Sequence, residues 1–150
     1  MLRQGLFMDH GEFTILITDR NRHVREFLRR ELTAEGYTVR VARDGREVLM
    51  VIDQEISPDL LILDLEIPYA GGLALLERLQ NRENPVPVVV HTFLAEDGNH
   101  MNARHAAVFV EKSGNTDKLK TAVAEVLSKC YPRRFALNRA NRCREEVDDR

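Results

Sequence analysis

The chain has 150 residues, 43% of them hydrophobic, enough for one compact domain with a real core. Charged residues make up 31% and the formal net charge is only -2, so nothing draws the whole chain to nucleic acid or membrane, and no apolar run has bilayer length. The opening "MLRQGLFMDHGEF" lacks the apolar stretch of a secretory signal, and Cys130 and Cys143 have neither metal-site spacing nor the density of a disulfide framework, so cytoplasmic residence is expected.

Apolar runs of strand length alternate with segments of helical period. "FTILIT" (Phe13 to Thr18) is a nearly continuous apolar run, as in a strand buried on both faces. Val24, Phe27, Leu28 and Leu32 then fall on one helical face, with Gly36 where a C-terminal cap belongs. "YTVRVA" alternates apolar and polar residues and predicts a more exposed strand at the sheet edge. Val48, Leu49, Val51, Ile52 and Ile56 predict a second helix, stopped before Pro58. "LLIL" is the third strand, and Leu73, Leu75, Leu76 and Leu79 mark the third helix. "VPVVVH" (Val86 to His91) is the fourth strand, with Pro87 acceptable near its start. Phe93 to His105 has little apolar periodicity, so a short or irregular fourth helix is expected there. "AVFVE" is the fifth strand, and Asn115 can cap a last helix carrying Leu119, Val123, Val126 and Leu127. The fold class expected is α/β, a doubly wound parallel sheet of five strands with helices on both faces.

In open α/β sheets a ligand sits beyond the carboxyl ends of the strands, near the point where the winding order reverses. Asp19 follows the first strand, Asp64 the third, Thr92 the fourth and Lys112 the fifth. In the flavodoxin-like order 2-1-3-4-5 these four converge on one pocket. Two carboxylates suit Mg2+, a carboxylate can also accept a phosphoryl group, and a lysine and a hydroxyl can hold that group. Taken singly, each has an ordinary reading. Asp19 can be a cap or turn residue, Asp64 a turn acid before a Pro/Gly loop, Thr92 a strand-former and Lys112 a solvated lysine. Four at corresponding strand ends make coincidence the weaker account.

From about Phe13 to Leu127 the chain resembles the receiver domain of bacterial two-component response regulators, of the CheY type. The resemblance is carried by "ILITDR", "PDLLILDLEIPYAGG", "VPVVVHT" and "VFVEK". It implies that Asp64 is the phosphoacceptor, loaded by a sensor histidine kinase with Mg2+ present. It further implies that Asp19 and Asp64 are metal ligands together with the backbone carbonyl of Glu66. Thr92 matches the switch hydroxyl, Phe109 the aromatic switch position and Lys112 the phosphoryl-contacting lysine. Three positions depart from the family pattern. Arg20 stands where the second acid usually supplies the direct metal ligand; a guanidinium opposes the cation and can pair with Asp64 in its place. Phe93 replaces a small residue, and Ser113 replaces the proline after the lysine.

Two functions follow. One is a phosphorylated receiver that switches a protein–protein interaction; intact Asp64, Thr92 and Lys112 support it. The other is a degenerate pseudo-receiver that binds or dimerises without phosphorylation; Arg20, Phe93 and Ser113 support it. Neither is an enzyme beyond its own phosphoryl transfer and dephosphorylation. A flavin or nucleotide domain is disfavoured because "DRNRHV" stands where a glycine-rich loop belongs. The organisation expected is an extension over residues 1–12, the receiver over 13–129 and a tail over 130–150. That tail is too short for an independent core, so the chain reads as a stand-alone receiver or as one cut from something longer. The tail's arginines, without a fold or an aromatic platform, are a weak nucleic-acid signal. An extra helix there, with Leu137, Ala140 and Val147 packed on the domain or on a second copy, is the structured alternative, and it leaves room for a homodimer.

Overall fold

The computed structural model describes residues 12–69, 71–93 and 108–148, with side chains as far as residue 141. In chain order the elements are β1 (Thr14–Thr18), α1 (Arg22–Ala34), β2 (Thr38–Ala42), α2 (Gly45–Ile52), β3 (Leu60–Leu63), α3 (Gly72–Gln80), β4 (Val88–Thr92), β5 (Val108–Glu111), α4 (Asp117–Cys130) and α5 (Pro132–Asp148). The five strands form one sheet in the order β2-β1-β3-β4-β5, every pairing parallel. The expected doubly wound order is therefore present. The fourth helix expected between Phe93 and His105 lies, from residue 94 on, outside the described residues.

The continuous apolar runs have a simple cause. Successive side chains of a strand point to opposite faces, and here both faces are covered. Ile15, Ile17, Leu60, Ile62 and Val89 pack with Leu28 and Leu32 of α1 and with Leu119, Val123 and Leu127 of α4. Their neighbours Leu16, Leu61, Leu63, Val88 and Val90 pack on the other face with Val48 and Ile52 of α2 and Leu75, Leu76 and Leu79 of α3. β2, at the edge, is the exception that its alternating sequence predicts, and Val41 there is exposed.

Helix ends follow local chemistry. Asn21 caps α1, its side-chain oxygen accepting the N–H groups of His23 and Val24. Gly36, at φ 97°, closes that helix as expected: its N–H donates to Thr33 and the N–H of Tyr37 donates to Leu32. Three expectations are corrected. α2 ends at Ile52, where the Ser57 hydroxyl donates to the Ile52 carbonyl, and Ile56 is 81% exposed instead of lying on the helical face. Leu73 is exposed on α3 while its three companion leucines are buried. At α4 the cap position is Thr116, whose hydroxyl donates to Glu31; the Asn115 side chain instead accepts the Asp117 N–H.

The tail forms the extra helix α5, but it docks through other residues than those expected. Leu137 and Ala140 are exposed, and the Val147 side chain lies outside the described residues. Tyr131 and Phe135 pack instead against Phe13. The Arg134 guanidinium spans both oxygens of Asp59, at 2.6 and 3.2 Å, and lies over the Phe13 ring. Asp59 also accepts the N–H of Thr14, while its carbonyl accepts the Tyr131 hydroxyl. Burial and the Asp59 charge push that phenol up to about 12. α5 is thus fixed at the amino ends of β1 and β3, the far end of the sheet from the four polar residues.

Candidate functional site

β1, β3 and β4 are central strands, so the residues that end them remain buried. Asp19 is 1% exposed, Asp64 2% and Thr92 6%. Two carboxylates at such depth need a cation or hydrogen bonds. Lys112 supplies the cation: its Nζ lies 2.7 Å from Asp19 Oδ2 and 3.3 Å from Asp64 Oδ2. The lysine is registered by the β4–β5 pairing, its backbone N–H donating 2.7 Å to the Thr92 carbonyl. Asp19, Asp64 and Lys112 are thus in direct contact, with Thr92 beside them. Phe109 is half-buried against the α2/α3 side of the sheet.

The remaining oxygens are met by backbone. Asp19 Oδ1 accepts the Asn21 N–H at 2.8 Å, so this residue is a turn acid as well as part of the site. Asp64 Oδ1 accepts the Glu66 N–H at 3.0 Å, and Oδ2 accepts the Arg20 N–H at 3.4 Å. The Arg20 side chain corrects an expectation. It does not pair with Asp64; its guanidinium sits 2.6 Å from Glu66 Oε2, with both side chains about half exposed. Phe93 lies at the rim, 59% exposed, with its ring 4.9 Å from Lys112 Nζ. Ser113 accepts the Asn115 N–H in the turn after the lysine.

For Mg2+ the donor set is a qualified fit. Asp19, Asp64 and the Glu66 carbonyl are hard oxygens of the right kind, and Mg2+ commonly takes one or two carboxylates plus phosphate oxygens. Lys112 already spans both carboxylates, and among the described residues no cluster of three or more acids, histidines or cysteines is arranged around a metal position.

One neighbour has no counterpart in the sequence. Arg25 donates 2.7 Å to the Asp19 carbonyl and fixes the turn after β1. His91 is buried, as its place in an apolar strand predicts, but it also lies in the electrostatic field of the site. Burial and then the Lys112 ammonium hold it down to about 4 from 6.5, against the pull of Asp19 and Asp64. The unfolded imidazole therefore takes up a proton below about pH 6.5 while the folded one stays neutral. Stability contributed by neutral His91 is full above that value and falls as the pH drops toward about 4, by on the order of 3 kcal/mol in all. Urea unfolding of the wild type and of His91→Asn between those limits checks this: the variant should show a flatter pH dependence. Parallel curves would mean that His91 titrates alike in both states.

A family model for the response regulator receiver domain matches residues 15–124. The chain belongs to that family. Response regulator MprA of Mycolicibacterium vanbaalenii is 41% identical over 78 residues, 52% of this chain and 33% of that protein. The chain thus corresponds to about a third of that relative's length. Among solved structures, the response regulator TrrA of Thermotoga maritima in complex with Mg2+-BeF superposes with a TM-score of 0.71 at 30% identity, covering 77% of this chain and 99% of that one. The complex of histidine kinase ThkA with TrrA gives a TM-score of 0.71 at 32% identity over the same shares. No helix among the described residues of this receiver domain is long and apolar enough to cross a membrane.

Proposed function

We propose that this receiver is a phosphorylation switch, with Asp64 taking a phosphoryl group from a histidine kinase and the loaded state altering a protein–protein contact. The observation that carries the reading is a buried Asp64 whose carboxylate shares the Lys112 ammonium with Asp19. In the transfer an Asp64 oxygen bonds to phosphorus as the bond from phosphorus to the donor's imidazole nitrogen breaks. The imidazole keeps the electron pair and takes a proton from solvent. Lys112 neutralises the phosphoryl oxygens, and the Thr92 hydroxyl turns to hydrogen-bond one of them, with Phe109 following as the aromatic switch. When bound, Mg2+ would neutralise the same oxygens, held by Asp19, Asp64 and the Glu66 carbonyl. The TrrA complexes, one with Mg2+-BeF and one with a kinase, support both the ion and the donor. The contact that responds is one with a downstream protein or with a second copy through α4 or α5, in the cytoplasm.

The test is intact mass after incubation with acetyl phosphate, with and without Mg2+, alongside Asp64→Asn. One phosphoryl adduct is expected on the wild type and none on the variant. The pseudo-receiver reading is favoured by one observation, the Arg20–Glu66 pair beside the acceptor. A folded wild type that takes no adduct under any of these conditions would establish that reading instead.

A further inference from the structure

The backbone N–H groups of Arg20 and Glu66 grip opposite oxygens of Asp64, at 3.4 and 3.0 Å, while their side chains pair with each other at 2.6 Å. The Arg20–Glu66 ion pair thus joins the side chains of the two residues whose backbones hold the acceptor carboxylate. We infer that Arg20 is a phosphoryl-binding residue held in reserve by Glu66: on loading, its guanidinium leaves the glutamate for the phosphoryl oxygens. This rests on Asp64 being the acceptor.

Three points of chemistry carry the exchange. The first is cost. Both side chains are about half exposed, and such ion pairs contribute only about 0–1 kcal/mol, so leaving Glu66 is cheap. The second is the gain. A phosphoryl group brings about one and a half to two negative charges and three acceptor oxygens, against one charge and two oxygens on a carboxylate, and a planar guanidinium can engage it in a two-pronged way. The third is demand. Lys112 already serves two carboxylates, so a phosphoryl group needs a second cation, and Arg20 is adjacent in sequence to Asp19. Glu66 is then released to solvent beside the site, and the charge pattern around the acceptor changes with loading.

The inference is tested on the full chain by the rate of acetyl phosphate labelling in EDTA, followed by intact mass, for wild type, Arg20→Ala, Arg20→Lys and Glu66→Gln. Circular dichroism melts confirm that each variant is folded. Arg20→Ala should label at least about tenfold more slowly than wild type, since a guanidinium placed on a transferring phosphoryl is worth far more than that elsewhere. Arg20→Lys should recover part of the rate, as a point charge without the fork. Glu66→Gln should label faster, because nothing competes for the guanidinium. A second readout is independent of rate: in 15N NMR the Arg20 Nε–H resonance should move on loading of the wild type. Equal labelling of wild type and Arg20→Ala in EDTA, with an unmoved Arg20 resonance, overturns this inference and leaves Asp64 as the acceptor. No wild-type adduct with or without Mg2+ overturns both.

Discussion

Lys112→Met is expected to destabilise the domain by about 3–5 kcal/mol at neutral pH, the usual result of removing one partner from a buried ion pair. The reason is the sharing seen in the site. One ammonium, itself only 7% exposed, serves two carboxylates that are 1% and 2% exposed. Taking it away leaves two like charges in a buried pocket, where the described residues offer them the backbone N–H groups of Arg20, Asn21 and Glu66. Urea midpoints for wild type and variant at pH 7 test this. Asp19→Asn added to Lys112→Met should recover a large part of the loss, because it removes the repulsion without changing volume. An unchanged midpoint at pH 7, or a double variant no better than the single one, would mean that the carboxylates are neutralised by something other than Lys112.

The same arrangement explains why so much of the site could be read before the fold was known. A strand buried on both faces leaves an apolar run in the chain, and a polar residue ending such a run must have a partner. Asp19, Asp64 and Lys112 follow that logic, and each ends where a central strand or its neighbour ends. Gly36 was legible for a related reason, since only a positive φ explains a glycine there. What was not legible depends on contacts that period and spacing do not encode. The sequence placed Arg20 beside Asp64, and its backbone is there; which carboxylate its flexible side chain selects is decided by Glu66 two residues past the acceptor. Helical periodicity in the tail points to Leu137 and Ala140. The docking instead uses Tyr131, Arg134 and Phe135 on Phe13 and Asp59, residues far apart in the chain. Ile56 misled because apolar spacing continued past the point where Ser57 closes the helix.

Of the two adjacent glycines after the acceptor, Gly71 and Gly72, only the second should be sensitive to alanine. At Gly71, with φ -46° and ψ 141°, a β-carbon would meet nothing within 4 Å, in a conformation open to any residue. Gly71→Ala should unfold within about 0.5 kcal/mol of wild type. At Gly72 a β-carbon would lie 2.5 Å from the Cα of Leu65, 2.6 Å from its carbonyl oxygen and 2.8 Å from its carbonyl carbon. These are backbone atoms and cannot swing aside. The Gly72 N–H also donates to that same carbonyl, so α3 begins directly on the residue that follows Asp64. Relief requires either α3 to lift, loosening Leu75, Leu76 and Leu79 from the core, or the Leu65–Glu66 segment to move. The expected loss for Gly72→Ala is about 3 kcal/mol, at the upper end of ordinary overpacking. The second route has a chemical consequence as well, because moving Glu66 takes its N–H off Asp64 Oδ1 and its carboxylate away from Arg20. Gly72→Ala should therefore label more slowly with acetyl phosphate even at temperatures where it is fully folded, while Gly71→Ala labels as wild type. Coincident thermal melts for the two variants would show that α3 does not rest on Leu65 so closely. A destabilised Gly72→Ala with normal labelling would show that α3 yields and the acceptor loop does not.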